Sequence, residues 1–184
     1  MEGQFLFDAS ARTAVVRLAT DADVEGMARV SVDTWRLTYG GILPDAYLAR
    51  MRAGAHEAQK RRMLHGPGAI HFVAEEQMTA EPVAFASAGP SRGGPPGVTG
   101  EIYELYVQNG FQRQGLGRRL LEAAGAWLAE RGHEAMIVWV LADNPNRDFY
   151  ERIGGHFTNL RTIRVGGVAV DEASYVWRDL RKGA

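Results

Sequence analysis

The 184-residue chain has no cysteine. That excludes disulfides, thiolate metal ligands and a cysteine nucleophile. It also has almost no net charge, −1 from 21 basic and 22 acidic residues, so no overall basic field recruits nucleic acid. No apolar run is long enough to cross a bilayer. The start, with Glu2 and Asp8, lacks the basic stretch and apolar run of a secretory signal. His56, His65, His71, His133 and His156 show no ligand spacing, so no metal is expected. Neither an internal repeat nor a heptad pattern is present. These absences predict a cytoplasmic protein with no membrane or nucleic-acid partner. The composition, 46% hydrophobic and 23% charged, suits one domain with a real core.

What is present reads as alternating strands and helices. Met1 to Ser10 has no clear period, and residues 1–12 are expected to form a loose leader. Ala14 to Leu18 reads as a strand. Thr20 is a helix cap followed by Asp21 and Asp23, and the helix is predicted to run to about Trp35 or Leu37. Pro44 opens a second helix with Tyr47, Leu48 and Met51, and Ala55 to Leu64 forms a short basic one. Ile70–Glu75 and Pro82–Ser87 read as a hairpin. Gly89 to Gly100, nearly all Gly, Pro and Ser, is predicted to be an exposed, mobile loop. Strands follow at Glu101–Val107 and Ala135–Leu141, with a helix between them whose apolar side carries Leu116, Leu120, Ala124 and Leu128. A short helix at Asn146–Ile153 and strands at Phe157–Val165 and Ala173–Leu180 complete the chain. The fold class is therefore α/β (α+β). The strand–helix–strand unit at 101–141 implies a parallel pair, the hairpins imply antiparallel ones, and the sheet is mixed with about seven strands.

The run Gln112-Arg113-Gln114-Gly115-Leu116-Gly117 sits between that strand and helix. Glycines let the backbone approach an anion, and first-turn N–H groups with the helix dipole favour negative charge. Arg113, Arg118 and Arg119 add positive charge. Two nucleotide motifs fail: Gly117 is followed by Arg118 rather than Lys-Ser/Thr, and position 120 is leucine where a dinucleotide fingerprint needs its third glycine.

The turn resembles the Q/R-x-x-G-x-G/A pyrophosphate motif of the GNAT superfamily of N-acetyltransferases. Two further segments are similar to that family: Leu105-Tyr106-Val107 at the end of the fourth strand, and Asn144 to Gly155, containing Phe149-Tyr150-Glu151-Arg152. The order of elements matches from Val15 to Leu180. One departure is Gly155, where many members carry a large apolar residue; another is the short spacing from Asn144 to Tyr150. The resemblance implies a single N-acetyltransferase domain over residues 13–182, in which strands four and five splay to admit acyl-CoA. It implies direct acetyl transfer from acetyl-CoA to a primary amine of a small molecule or peptide, with a homodimer as one assembly. A non-catalytic acyl-CoA sensor or association module is the alternative.

The same resemblance distributes the tasks. Gln112 to Arg118, with Asn144, would hold the donor. Strand amides of Leu105, Tyr106 and Val107 would pair with pantetheine, and the Leu105 N–H would polarise the acetyl carbonyl. Tyr150 would protonate the leaving thiolate. A base or a water chain must take the amine's proton. Glu101, eleven residues before Gln112, and Glu104 compete for that role. In an ideal strand they face opposite sides, and a bulge would reverse the choice. Trp35 and Tyr39 lie where the acceptor is expected. The segment Trp35 to Pro44 resembles the W-x-x-x-Y-G-x-L-P pattern of one bacterial branch, with Gly41 extra. Trp139 is open to two readings, core or pantetheine wall.

Overall fold

Thr20 and Asp23 start the first helix as the sequence predicts. The computed structural model describes residues 13–182, so the predicted leader lies outside the described residues. The Asp23 carboxylate accepts from the Thr20 backbone N–H at 2.7 Å and from the Thr20 hydroxyl at 3.0 Å. Arg17, on strand β1 (Ala14–Leu18), grips both carboxylate oxygens at 2.7 and 2.8 Å. Burial works against this charge, but the Arg17 guanidinium and the Thr20 donors outweigh it and hold the Asp23 pKa below its ordinary value. Asp23→Asn is expected to cost about 2 kcal/mol at pH 7, through loss of the ion pair and part of the cap. Because the folded-state pKa is lowered, this stability is full above the unfolded carboxylate value of about 4 and is lost as pH falls through the folded one. Urea titrations at pH 7 and pH 3 check this: coincident midpoints at pH 7 would refute it.

Helix α1 (Val24–Tyr39) runs one turn beyond Trp35, further than predicted, because Tyr39 is buried and held by its neighbours. Helices α2 (Asp45–Arg50) and α3 (Ala53–Leu64) follow. Arg36 joins α1 to the end of α2 by donating to the Leu48 and Met51 carbonyls at 3.3 and 2.7 Å. The remaining elements are β2 (Ile70–Glu76), β3 (Pro82–Pro90), β4 (Gly100–Val107), α4 (Leu116–Glu130), β5 (Ala135–Leu141), α5 (Asp148–Arg152), β6 (His156–Val165) and β7 (Val168–Arg178).

The seven strands form one mixed sheet in the order β1-β2-β3-β4-β5-β7-β6. Every neighbouring pair is antiparallel except β4–β5. On one face the fully buried Ala84, Ala86 and Ala88 of β3 let α4 approach closely, so its Leu116, Leu120, Leu121, Ala124 and Leu128 fill the core. On the other face Met27 and Val30 of α1 pack on Val73 and Phe85.

The structure corrects the sequence reading in three places. Gly89 and Pro90 belong to β3, and Gly100 to β4, because Pro90 pairs with Gly100. The remaining loop is anchored: Val98 is buried among Ala135, Ile137 and Val176. Its Arg92 binds Glu101 through the backbone N–H at 2.7 Å and through Nη2 at 2.7 Å. Strand β7 begins at Val168 instead of Ala173, and pairs with β6 through Val165. Most consequentially, β4 is bulged. Ser87 pairs with Glu104 and Ala88 with Ile102, which leaves Tyr103 as the extra residue. Glu101 lies opposite Gly89, two positions from Ser87, so Glu101 and Glu104 share a face rather than opposing each other.

Candidate active site

Strands β4 and β5 pair only through Gly100–Ile102 against Met136–Val138. Beyond Ile102 both continue unpaired to each other, and an opening forms between them. Hydrogen-bond alternation fixes which amides face it. Gln108 N–H donates to the Val83 carbonyl at 2.9 Å, in register with Val107 opposite Ala84. Counting back by twos, Tyr106 and Glu104 are bonded to β3, while Leu105 and Val107 turn their backbone groups toward the opening. Consistent with this, the Val107 carbonyl accepts from the Gln112 side chain at 3.1 Å. Of the three predicted strand amides, Leu105 and Val107 therefore face the opening and Tyr106 does not.

The glycine turn lies at the end of β4. Arg113 and Gly115 both adopt left-handed backbone, with φ of +59° and +77°, and Gly115 caps α4. A Cβ on Gly117 would stand 3.2 Å from Phe149 Cζ and 3.6 Å from Val107 Cγ2, a tight fit that glycine relieves where α4 meets α5. Leu116 is buried and contributes only its backbone to the turn. Arg118 is paired with Glu122 at 2.6 Å, and Arg119 donates to the Ala14 carbonyl at 3.1 Å. Arg113 is exposed and has no partner among the described residues, and the Gln114 amide reaches only the Gly110 carbonyl at 3.3 Å.

Helix α1 roofs the opening and is tied to both walls. Trp35 Nε1 donates to the Tyr106 hydroxyl at 2.8 Å, on the β4 side. The Asn144 side-chain amide donates to the Tyr39 hydroxyl at 3.0 Å, on the β5 side. Asn144 also accepts from the Asn146 N–H at 2.8 Å, so both ends of its side chain are engaged within the protein. The Trp35 and Tyr39 rings meet edge to face at 5.0 Å. Burial pushes the Tyr39 phenol up to about 12 against the help of Asn144.

Tyr150 enters from α5. Its ring stacks on Tyr175 at 5.6 Å and meets Trp177 edge-on at 6.2 Å. Trp177 also explains the departure at Gly155. Its indole fills the space that a side chain there would take, and a Cβ at that position would stand 2.7 Å from Cζ2 of the ring. Burial raises the Tyr150 pKa well above 10, and the neighbouring Tyr39 and Tyr175 raise it further. The Tyr106 phenol is raised by burial and then by Glu104, with Tyr39 and Tyr150 adding to it. Three protonated phenols thus surround the opening. That of Tyr150 has no hydrogen-bond partner among the described residues.

The two carboxylates are held differently. Glu101 lies on the paired part of β4, with both oxygens taken by Arg92. Glu104 lies just past the bulge, two residues from Tyr106 on the same face. It accepts from Lys60 of α3, which is 1% exposed, and from the Ser87 hydroxyl at 3.2 Å. Sequence reading missed this buried group, because Lys60 sits in the run Lys60-Arg61-Arg62 that reads as a solvated face. Ser87, the one hydroxyl in the apolar run of β3, was the available sign. Trp139 points to the same face as Glu101, with the Arg161 guanidinium 3.8 Å above its ring.

A mixed sheet is thus parted at its parallel pair, with an anion-suited turn at one end of the opening. Residues 35–155 match the acetyltransferase (GNAT) family. The chain belongs to that family and is an N-acetyltransferase. It is similar to the uncharacterized N-acetyltransferase YuaI of Bacillus subtilis (strain 168), with 36% identity over 166 residues covering 90% of this chain and 93% of that one. The fold is similar to a GCN5-related N-acetyltransferase from Rhodopseudomonas palustris, with TM-score 0.70, 20% identity and coverage of 90% and 96%. It is also similar to yncA from Salmonella typhimurium, solved with acetyl-CoA, with TM-score 0.66, 20% identity and coverage of 90% and 94%. No described helix is long and apolar enough to cross a membrane.

Proposed function

We propose that the protein transfers acetyl from acetyl-CoA directly to a primary amine of a small molecule or peptide. The observation that carries this reading is the opening past Ile102, toward which Leu105 and Val107 turn backbone groups bonded to neither β3 nor β5. These fit an extended amide-bearing ligand such as pantetheine. The first-turn N–H groups of α4, with Arg113 beside them, suit its pyrophosphate. The Leu105 N–H would donate to the acetyl oxygen as negative charge develops there.

Glu104, rather than Glu101, receives the proton that the amine must lose, because it lies past Ile102 beside the opening while Glu101 lies on the part of β4 paired with β5. The amine nitrogen then bonds to the carbonyl carbon and the carbon–sulfur bond breaks. Tyr150, protonated at neutral pH and without another partner, hands its proton to the departing sulfur and regains one from the nitrogen side. An open pocket of about 450 Å³ lies between α1 and residues 108–111, just ahead of the glycine turn. Asp33 and Arg36 both line it, so its charged lining is balanced and favours neither sign of acceptor.

Thiol release from acetyl-CoA across polyamines, aminoglycosides, amino acids and peptides tests the reading. Binding of acetyl-CoA with no thiol release from any of them would favour the sensor. Gly117→Val is expected to weaken acetyl-CoA binding about tenfold by pushing α4 off Phe149 and Val107. Calorimetric titration with acetyl-CoA checks it, and an unchanged Kd would remove this turn from donor binding.

A further inference from the structure

Behind Glu104 runs a chain of buried polar groups with no role in the reading above. The Ser87 hydroxyl lies 3.2 Å from Glu104 Oε2 and 2.8 Å from His71 Nδ1, and His71 Nε2 lies 2.9 Å from the Met63 carbonyl oxygen. Ser87 is 0% exposed and His71 3%. A carbonyl can only accept, so His71 carries its proton on Nε2. The imidazole is kept neutral by burial and by the Lys60 ammonium, against the pull of Met63 and Glu104. Its Nδ1 is therefore an acceptor.

The hydrogens can be counted. Two contacts, Glu104–Ser87 and Ser87–His71, share one hydrogen, that of the Ser87 hydroxyl, while Glu104 is a carboxylate. Either Glu104 Oε2 or His71 Nδ1 then goes without a donor inside the protein, which is costly in a buried network. When Glu104 gains a proton, it donates to Ser87 Oγ, Ser87 donates to His71 Nδ1, and both contacts are made. Lys60 meanwhile continues to donate to Oε1. The charged groups facing His71 are Lys60 of α3 and Glu104 of β4, and His56 of α3 faces that same pair; α1 presents apolar Met27 and Val30 on this side.

Resting on the assignment of Glu104 as the proton acceptor, we propose that Ser87 and His71 form a hydrogen-bond chain one proton short, which strengthens Glu104 as a base during transfer. They act through Glu104 and are positioning residues. The proton taken from the amine stays on Glu104 during transfer, Ser87 and His71 only reorient, and release to solvent restores the resting chain.

The test measures kcat, KM for acetyl-CoA and the pH profile with acetyl-CoA and whichever amine in the panel reacts fastest. Ser87→Ala and His71→Leu should each lower kcat about tenfold, the size of the one hydrogen bond that the chain gains when Glu104 is protonated, with KM for acetyl-CoA unchanged. Both should move the acid limb of the profile to lower pH. His71→Asn, which keeps an acceptor near Nδ1, should restore most of the rate and the wild-type limb. Wild-type rates and limbs in Ser87→Ala and His71→Leu, with a slow Glu104→Gln, would overturn the chain and leave the base assignment standing. Full turnover in Glu104→Gln would overturn both. Equal losses in His71→Asn and His71→Leu would reduce His71 to a packing role and overturn the chain. Independently of any acceptor, ¹⁵N NMR should show His71 as the neutral Nε2–H form at pH 7; an imidazolium signature would sink the proposal.

Discussion

Glu104→Gln is expected to lower kcat at least about a hundredfold while acetyl-CoA binds as before. The amide is nearly isosteric with the carboxylate, but it cannot accept the amine's proton. It also meets Lys60 with no negative charge, leaving a buried ammonium partly uncompensated. Protein stability must therefore be measured beside rate, and the donor Kd separates the two effects. Glu101→Gln is the matched control. It removes a carboxylate of the same face and similar sequence position, but one already committed to Arg92. Its kcat should stay within a few fold of wild type. If Glu101→Gln is the slower variant, the assignment is reversed.

Tyr150→Phe is expected to lower kcat by about ten- to a hundredfold, again with little change in acetyl-CoA affinity. The ring contacts to Tyr175, Trp177 and Phe149 need no hydroxyl, so phenylalanine keeps the packing. Only the hydroxyl, the proposed donor to the departing sulfur, is lost. The effect is bounded, because a thiolate with a free pKa of about 8.5 is a fair leaving group without help. Burial keeps the phenol protonated well past neutrality, so Tyr150 loses no donor capacity between pH 6 and pH 9. Steady-state kinetics with wild type and Tyr150→Phe across that range decide it, and unchanged turnover would remove Tyr150 from the mechanism.

Local rules make much of this fold legible. The Thr20 cap, the apolar side of α4 and the break at Gly154-Gly155 each depend on near neighbours in sequence, and each element lies where those neighbours place it. The glycine turn is legible for the same reason. The choice between Glu101 and Glu104 is not, because it depends on one unpaired residue, Tyr103, whose bulge exists only in relation to β3. The wall contacts are equally hidden: Trp35 meets Tyr106 and Tyr39 meets Asn144 across 71 and 105 residues. Lys60, Ser87 and His71 come from three different elements, and only the folded sheet brings them to Glu104.

The parted sheet also has a mechanical meaning. Strands β1 to β4 form one plate and β5, β7 and β6 another, joined edge to edge by a seam of three paired residues at Gly100–Ile102. Such a joint is stiff near the seam and compliant at the far end, where a small rotation produces the largest displacement. The two hydrogen bonds from α1 act at that far end. One core cluster spans both plates, from Ala88 and Ile102 to Met136 and Tyr175, and resists that rotation near the seam, while the two ties to α1 resist it where the leverage is greatest.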